Sequence, residues 1–201
     1  TNIENKCLYS IKRGQAGKNM EARSLRMKYL EAIKQIDQLK DYPVLTNEDG
    51  KIILGGRRWI LMDVEAFPSY MIKTASNLMG EKLAQEFVYW FGLAYGEKVA
   101  ERYQKVGIPN DKIIFLLPMI ISVTTGWGVA EIVEYSPQEG RLVAKLYNDF
   151  ESESAILNGE KPTNNFLRGV LAGIFAKLWN VKVRTSTEFK DGYTLVTVTK
   201  R

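Results

Sequence analysis

Apolar positions recur along this chain with two different periods, and the switch between them divides it. Leu25, Tyr29, Ile33, Ile36 and Leu39 fall at spacings of 4, 4, 3 and 3, which is one helical face. Residues 20–40 are therefore expected to be helical, with Asp41-Tyr42-Pro43 as the stop. Lys51-Ile52-Ile53-Leu54 and Arg57 to Met62 flank Gly55-Gly56, a two-residue turn signal between apolar runs that predicts a hairpin. From Pro68, which suits a first helical position, the period is helical again. Met71, Ile72, Ala75, Leu78 and Met79 share a face, and Gly80 reads as the stop.

The longest helical pattern covers residues 81–106, through Leu83, Phe87, Trp90, Phe91, Ala94, Tyr95, Val99 and Tyr103. Gly92 and Gly96 sit inside it four apart. Each costs about 1 kcal/mol against alanine, so a close approach of another backbone or of a ligand is needed to account for them. Gly107-Ile108-Pro109 ends the element and Asn110 reads as the next cap. Residues 111–123 are apolar nearly all round, the pattern of a buried helix kinked or started late by Pro118.

Beyond residue 126 the period becomes two. Trp127 to Tyr135 and Arg141 to Tyr147 read as strands around a turn at 136–140. Glu151 and Glu153 read as a solvated loop. A helix capped by Thr163 runs to Trp179, with Phe166, Val170, Leu171, Ile174, Phe175 and Leu178 on its apolar face and Gly169 and Gly173 as a second small pair. Val181 to Thr187 and Tyr193 to Thr199 flank Lys190-Asp191-Gly192 as a closing hairpin. The order predicts an α+β fold: an antiparallel sheet of about four strands against a helical layer, with an N-terminal helix.

Charge separates the two ends. Residues 1–40 hold nine Lys/Arg against four Asp/Glu, and residues 41–201 hold nineteen of each sign, so the whole net charge of +5 lies in the first part. The expectation is a basic tail and helix, residues 1–40, followed by a neutral domain, residues 41–201. The basic arm is either a solvated element or a contact for an anion, with nucleic acid as one partner through residues 6–40. The start of the sequence shows no signal peptide and the longest apolar run is nine residues, 113–121. A span needs about 20, so a cytoplasmic protein without a membrane span is expected.

The chain has no histidine and one cysteine, Cys7. Histidine-dependent nucleophilic catalysis, imidazole metal sites and an internal disulfide are thereby excluded. Gly126-Trp127-Gly128 lacks the third glycine of a dinucleotide fingerprint, and Gly92 to Lys98 has the wrong spacing for a phosphate loop. No catalytic residue, no metal ligand and no cofactor is assigned, and an enzyme is not expected.

Gly126-Trp127-Gly128-Val129-Ala130-Glu131-Ile132, then Tyr147-Asn148-Asp149-Phe150-Glu151, then Phe166 to Gly173 form a succession that resembles the 4-vinyl reductase domain. The Arg57-Arg58 strand and the Gly80…Gly92…Gly96 helix pair are similar to it too, so the likeness covers about residues 45–199. It implies a fold shared with the sensor domains of aromatic-hydrocarbon-responsive transcription activators and with TRAPP trafficking subunits. It also implies a dimer, and binding of a small molecule between helices and sheet rather than catalysis. Many relatives hold zinc through cysteines of the last hairpin. Here that stretch is Thr187 to Leu195, without a thiol. The histidine of phenol-type pockets is missing as well.

On this reading the ligand walls are Trp90, Phe91 and Tyr95 from the long helix, Trp127 from the first strand, and Phe166 and Val170 from the last helix. Apolar walls with few polar groups suit a small hydrophobic molecule, and Trp127 and Tyr95 each carry a donor. The same rings would equally serve as core filling. The expected function is a dimeric, non-catalytic sensor of a small hydrophobic molecule. A structural adaptor and a nucleic-acid-binding regulator are the alternatives.

Overall fold

The computed structural model describes residues 20, 23–35, 44–54 and 56–201. It divides into two compact units, residues 1–61 and 62–201. In the first, helix α1 covers residues 23–34, and Arg26 donates to the Thr46 carbonyl at 2.8 Å. The tail and the expected helix end, including Ile36 and Leu39, lie outside the described residues. Strands β1 (Ile52–Leu54) and β2 (Arg57–Trp59) pair antiparallel, Ile52 opposite Trp59. The second run stops at Trp59, whose indole N–H donates back to the Leu54 carbonyl at 3.1 Å.

The second unit starts with a wide helical turn, Ala66–Tyr70, in which Phe67 is extended and the Phe67–Pro68 bond is cis. Pro68 thus belongs to this turn, and helix α2 begins after it, at Met71–Met79. Gly80, at φ 85°, ψ 150°, separates α2 from α3 (Glu81–Lys105). Helix α4 (Asn110–Thr124) runs unbroken through Pro118. Asn110 is its first residue rather than its cap, and its side chain donates to the Leu178 carbonyl at 3.0 Å. Nor is α4 buried all round: Ile113, Ile114, Leu117 and Pro118 face inward, while Phe115, Met119 and Val123 are exposed.

Strands β3 (Val129–Ser136) and β4 (Arg141–Tyr147) follow, then helix α5 (Phe150–Leu157), helix α6 (Asn165–Trp179), and strands β5 (Val183–Lys190) and β6 (Tyr193–Lys200). The sheet is fully antiparallel in the order β3-β4-β6-β5. This is the α+β architecture expected, four strands against a helical layer. Alternation sends Leu142, Ala144, Leu146, Val196 and Val198 to one buried face, where α6 packs.

Helix α6 is buried on almost every side because α3 crosses its outer face. A Cβ on Gly92 or Gly96 would fall on the carbonyl oxygens of Phe166 or Val170, and one on Gly169 or Gly173 on those of Tyr89 or Leu93. Of the two reasons for the paired glycines, the close approach of two backbones is the one the structure displays. The seam is backbone on backbone, which tightens dispersion contact along its length.

Candidate functional site

Trp127 is positioned by its two glycines. Gly126, at φ 71°, takes the left-handed turn out of α4. Gly128, at φ 113°, runs so close to the β4–α5 corner that a Cβ would lie 2.7 Å from the Tyr147 oxygen and 2.8 Å from the Asn148 oxygen. Trp127 precedes β3 rather than starting it, and its carbonyl accepts from the Phe150 N–H at 3.3 Å. These ties turn the indole inward.

The ring lands in a cluster. Trp127 lies 5.3 Å from Phe166, 5.5 Å from Tyr95 and 6.1 Å from Phe150, centroid to centroid. Phe91 reaches Phe166 at 5.7 Å, and Phe67 stacks on Phe150 at 5.9 Å. These are the spacings of favourable edge and offset contacts. Of the residues named from the sequence, Phe91, Tyr95, Trp127 and Phe166 are thus brought together. Phe67 and Phe150 complete the cluster. Both came from segments without a long apolar period, a short turn and a presumed loop, so periodicity did not mark them.

A cavity adjoins the cluster between α4, β3, β4 and α6. Its walls include Ile114, Leu117, Trp127, Leu146, Val170 and Phe175, and they are almost wholly apolar. It measures about 30 Å³ over the positions a water centre can take, against about 150 Å³ for a cavity that holds benzene. Trp127 and Val170 line it; Phe91, Tyr95 and Phe166 do not. Trp90 stands apart, 60 % exposed, on an outer stripe of α3 with Leu83 and Phe87.

The wall formed by α4 is held lightly. Pro118 contributes no N–H to the helix ladder. The Ser122 hydroxyl donates to the Pro118 carbonyl at 2.7 Å and accepts the Ala130 N–H at 3.0 Å, fastening α4 to β3. The opposite end of the site is fastened by carboxylates. Asp149 caps α5 through the Ser152 N–H at 2.8 Å and also accepts from Asn164 at 3.0 Å and Thr194 at 3.2 Å. Glu151 is 3 % exposed, not in a solvated loop. Its two oxygens accept the Phe166 N–H at 2.9 Å and the Leu167 N–H at 2.6 Å, holding the first turn of α6. Burial pushes its carboxyl up to about 7, further than these N–H groups pull it down. A run of Asp and Glu between a strand and a helix looks solvated in sequence; only the folded corner shows what it caps.

A second concavity, of about 570 Å³, lies between α5 and the β5–β6 hairpin. Asp149 is at its floor with its donors already in place. Among the described residues no group of three or more His, Cys, Asp or Glu is placed to hold a metal ion. None of the described helices is singly long and apolar enough to cross a membrane.

No family model matches the sequence, and no curated protein matches it. Solved structures are similar to it. The phenol-responsive sensory domain of the transcription activator PoxR, with phenol, has 16 % identity and a TM-score of 0.63 over 76 % of this chain and 82 % of that one. A trafficking protein particle complex subunit 3 from Naegleria fowleri, covalently bound to palmitic acid, has 9 % identity and a TM-score of 0.45 over 69 % and 95 %. A mutant of the T. Tengcongensis H-NOX protein has 10 % identity and a TM-score of 0.47 over 90 % and 97 %. The first likeness establishes a shared fold; the other two are too distant to argue from.

Proposed function

We propose that this chain is a non-catalytic sensor domain of the 4-vinyl reductase type, working as a homodimer, that takes a small apolar molecule against Trp127. The observation that carries the reading is the apolar cavity beside Trp127, built where helices meet sheet. The fold shared with a phenol-responsive sensory domain supports it. Walls so poor in polar groups favour a hydrocarbon ring over its hydroxylated counterpart, since an unpaired buried hydroxyl costs about 1–3 kcal/mol. Because the cavity is about 30 Å³, such a ring enters only as a wall gives way, and α4 is the wall with the fewest ties. Binding then shifts the population of α4 positions.

The test is calorimetric titration and thermal unfolding with toluene and phenol. Toluene is expected to raise the melting temperature with the logarithm of its concentration, phenol less so, and Val170→Phe, which fills the cavity, is expected to remove the response. The small cavity also favours a second reading, a structural adaptor with a filled interior. An unshifted melting temperature up to the solubility limit of toluene would favour the adaptor.

A further inference from the structure

The two edges of the sheet are built differently. β3 carries a bulge between Ile132 and Glu134, and the Ser122 hydroxyl takes the Ala130 N–H. These are ways of blunting an edge. β5 has neither. Its eight residues pair with β6 in unbroken register, from Val183 opposite Lys200 to Lys190 opposite Tyr193. The Arg201 N–H donates to the Lys182 carbonyl at 2.9 Å, so the even-numbered residues from 182 to 190 direct their backbone groups to β6. Alternation then turns the N–H and C=O groups of Val183, Thr185, Thr187 and Phe189 outward. No backbone hydrogen bond among the described residues takes them.

We propose that a second copy of this chain pairs along this edge, antiparallel, about a two-fold axis through Ser186, joining two four-stranded sheets into one of eight. Charge makes this edge complementary to itself, and giving Arg184 an acidic partner sets the register. With the axis at Ser186, Arg184 stands opposite the partner's Glu188, and the pair occurs twice, as a two-fold contact requires. Arg184 makes no ion pair among the described residues. Thr185 falls opposite the partner's Thr187, and Val183 opposite the partner's Phe189, both favourable cross-strand pairs. Moving the axis to Thr187 would set Arg184 against the partner's Lys190; moving it to Thr185 would pair Glu188 with the partner's Lys182 but leave Arg184 opposite a serine. Lys182 meets the partner's Lys190 at the two ends, where Glu188 lies 2.8 Å from Lys190. The inference rests on the homodimer part of the proposed function and is independent of the ligand.

Ser186 would face the partner's Ser186 as a non-hydrogen-bonded antiparallel pair, with Cα atoms about 4.5 Å apart, within disulfide reach. The test uses the full chain carrying Cys7→Ser and Ser186→Cys under mild oxidation, with sedimentation of the unsubstituted chain alongside. Cross-linked dimer is expected. Arg184→Glu is expected to weaken the dimer about tenfold, and Arg184→Glu with Glu188→Arg to restore it. A monomer at all concentrations would overturn both this interface and the homodimer. A dimer that forms no cross-link and ignores Arg184→Glu would overturn the interface alone and point to the α3 stripe. Toluene titration of the same samples reads the ligand separately.

Discussion

The two sides of α6 differ in how they are filled. Toward α3, four glycines bring backbone against backbone, and nothing the size of a methyl group fits between. Toward α4 and β3 there are full-sized side chains, a proline in the helix and a residual cavity. Protein interiors transmit strain where packing is tight and give way where it is not. On the proposed reading, the contrast makes the α3–α6 seam the frame and α4 the part that moves.

The largest effect is expected at the frame. Gly173→Val inserts three carbons against the Leu93 carbonyl and should lower stability by about 3 kcal/mol or more, read as a fall in the urea midpoint. A loss below about 1 kcal/mol would show that the seam is not tight.

Glu151 tests how the frame is fastened. Its carboxyl is raised from 4.5 to about 7, so the native state keeps a proton that the unfolded chain loses between those values. Stability from this group is therefore greatest below about pH 4.5, falls as pH rises to 7, and is flat above, by at most about 3 kcal/mol. Glu151→Gln should flatten that slope relative to the unsubstituted protein.

On the other side, Leu117→Ala should cost about 2 kcal/mol, the low end for such truncations because the wall relaxes, and should tighten toluene binding as the cavity grows. Equal loss with no gain in affinity would make α4 an ordinary part of the core. The smallest effect is expected from Ser122→Ala, about 1 kcal/mol from unpairing the Ala130 N–H, together with faster toluene association in stopped flow.

The same contrast marks what was legible in the sequence. The glycine pairs stood out because glycine in a helix has a cost that must be offset, and their spacing of four fixed which face they share. Trp127 stood out between its two glycines. The four-strand sheet and every helix of the second unit but α5, whose segment reads as a loop, followed from the two periods. What periodicity could not show was tertiary: that Phe67 and Phe150 join the rings, that α4 leaves Phe115, Met119 and Val123 exposed, and that Glu151 holds α6. Trp90 illustrates the converse. It shares a helical pattern with Phe91, itself 48 % exposed, but one step of about 100° lets only Phe91 reach Phe166.

Amide hydrogen exchange with and without toluene tests the central claim most directly. Without ligand, amides of residues 113–124 should exchange faster than those of the α3–α6 seam, and toluene should slow the former and leave the latter unchanged. Equal protection in both regions, with no change on adding toluene, would contradict the account.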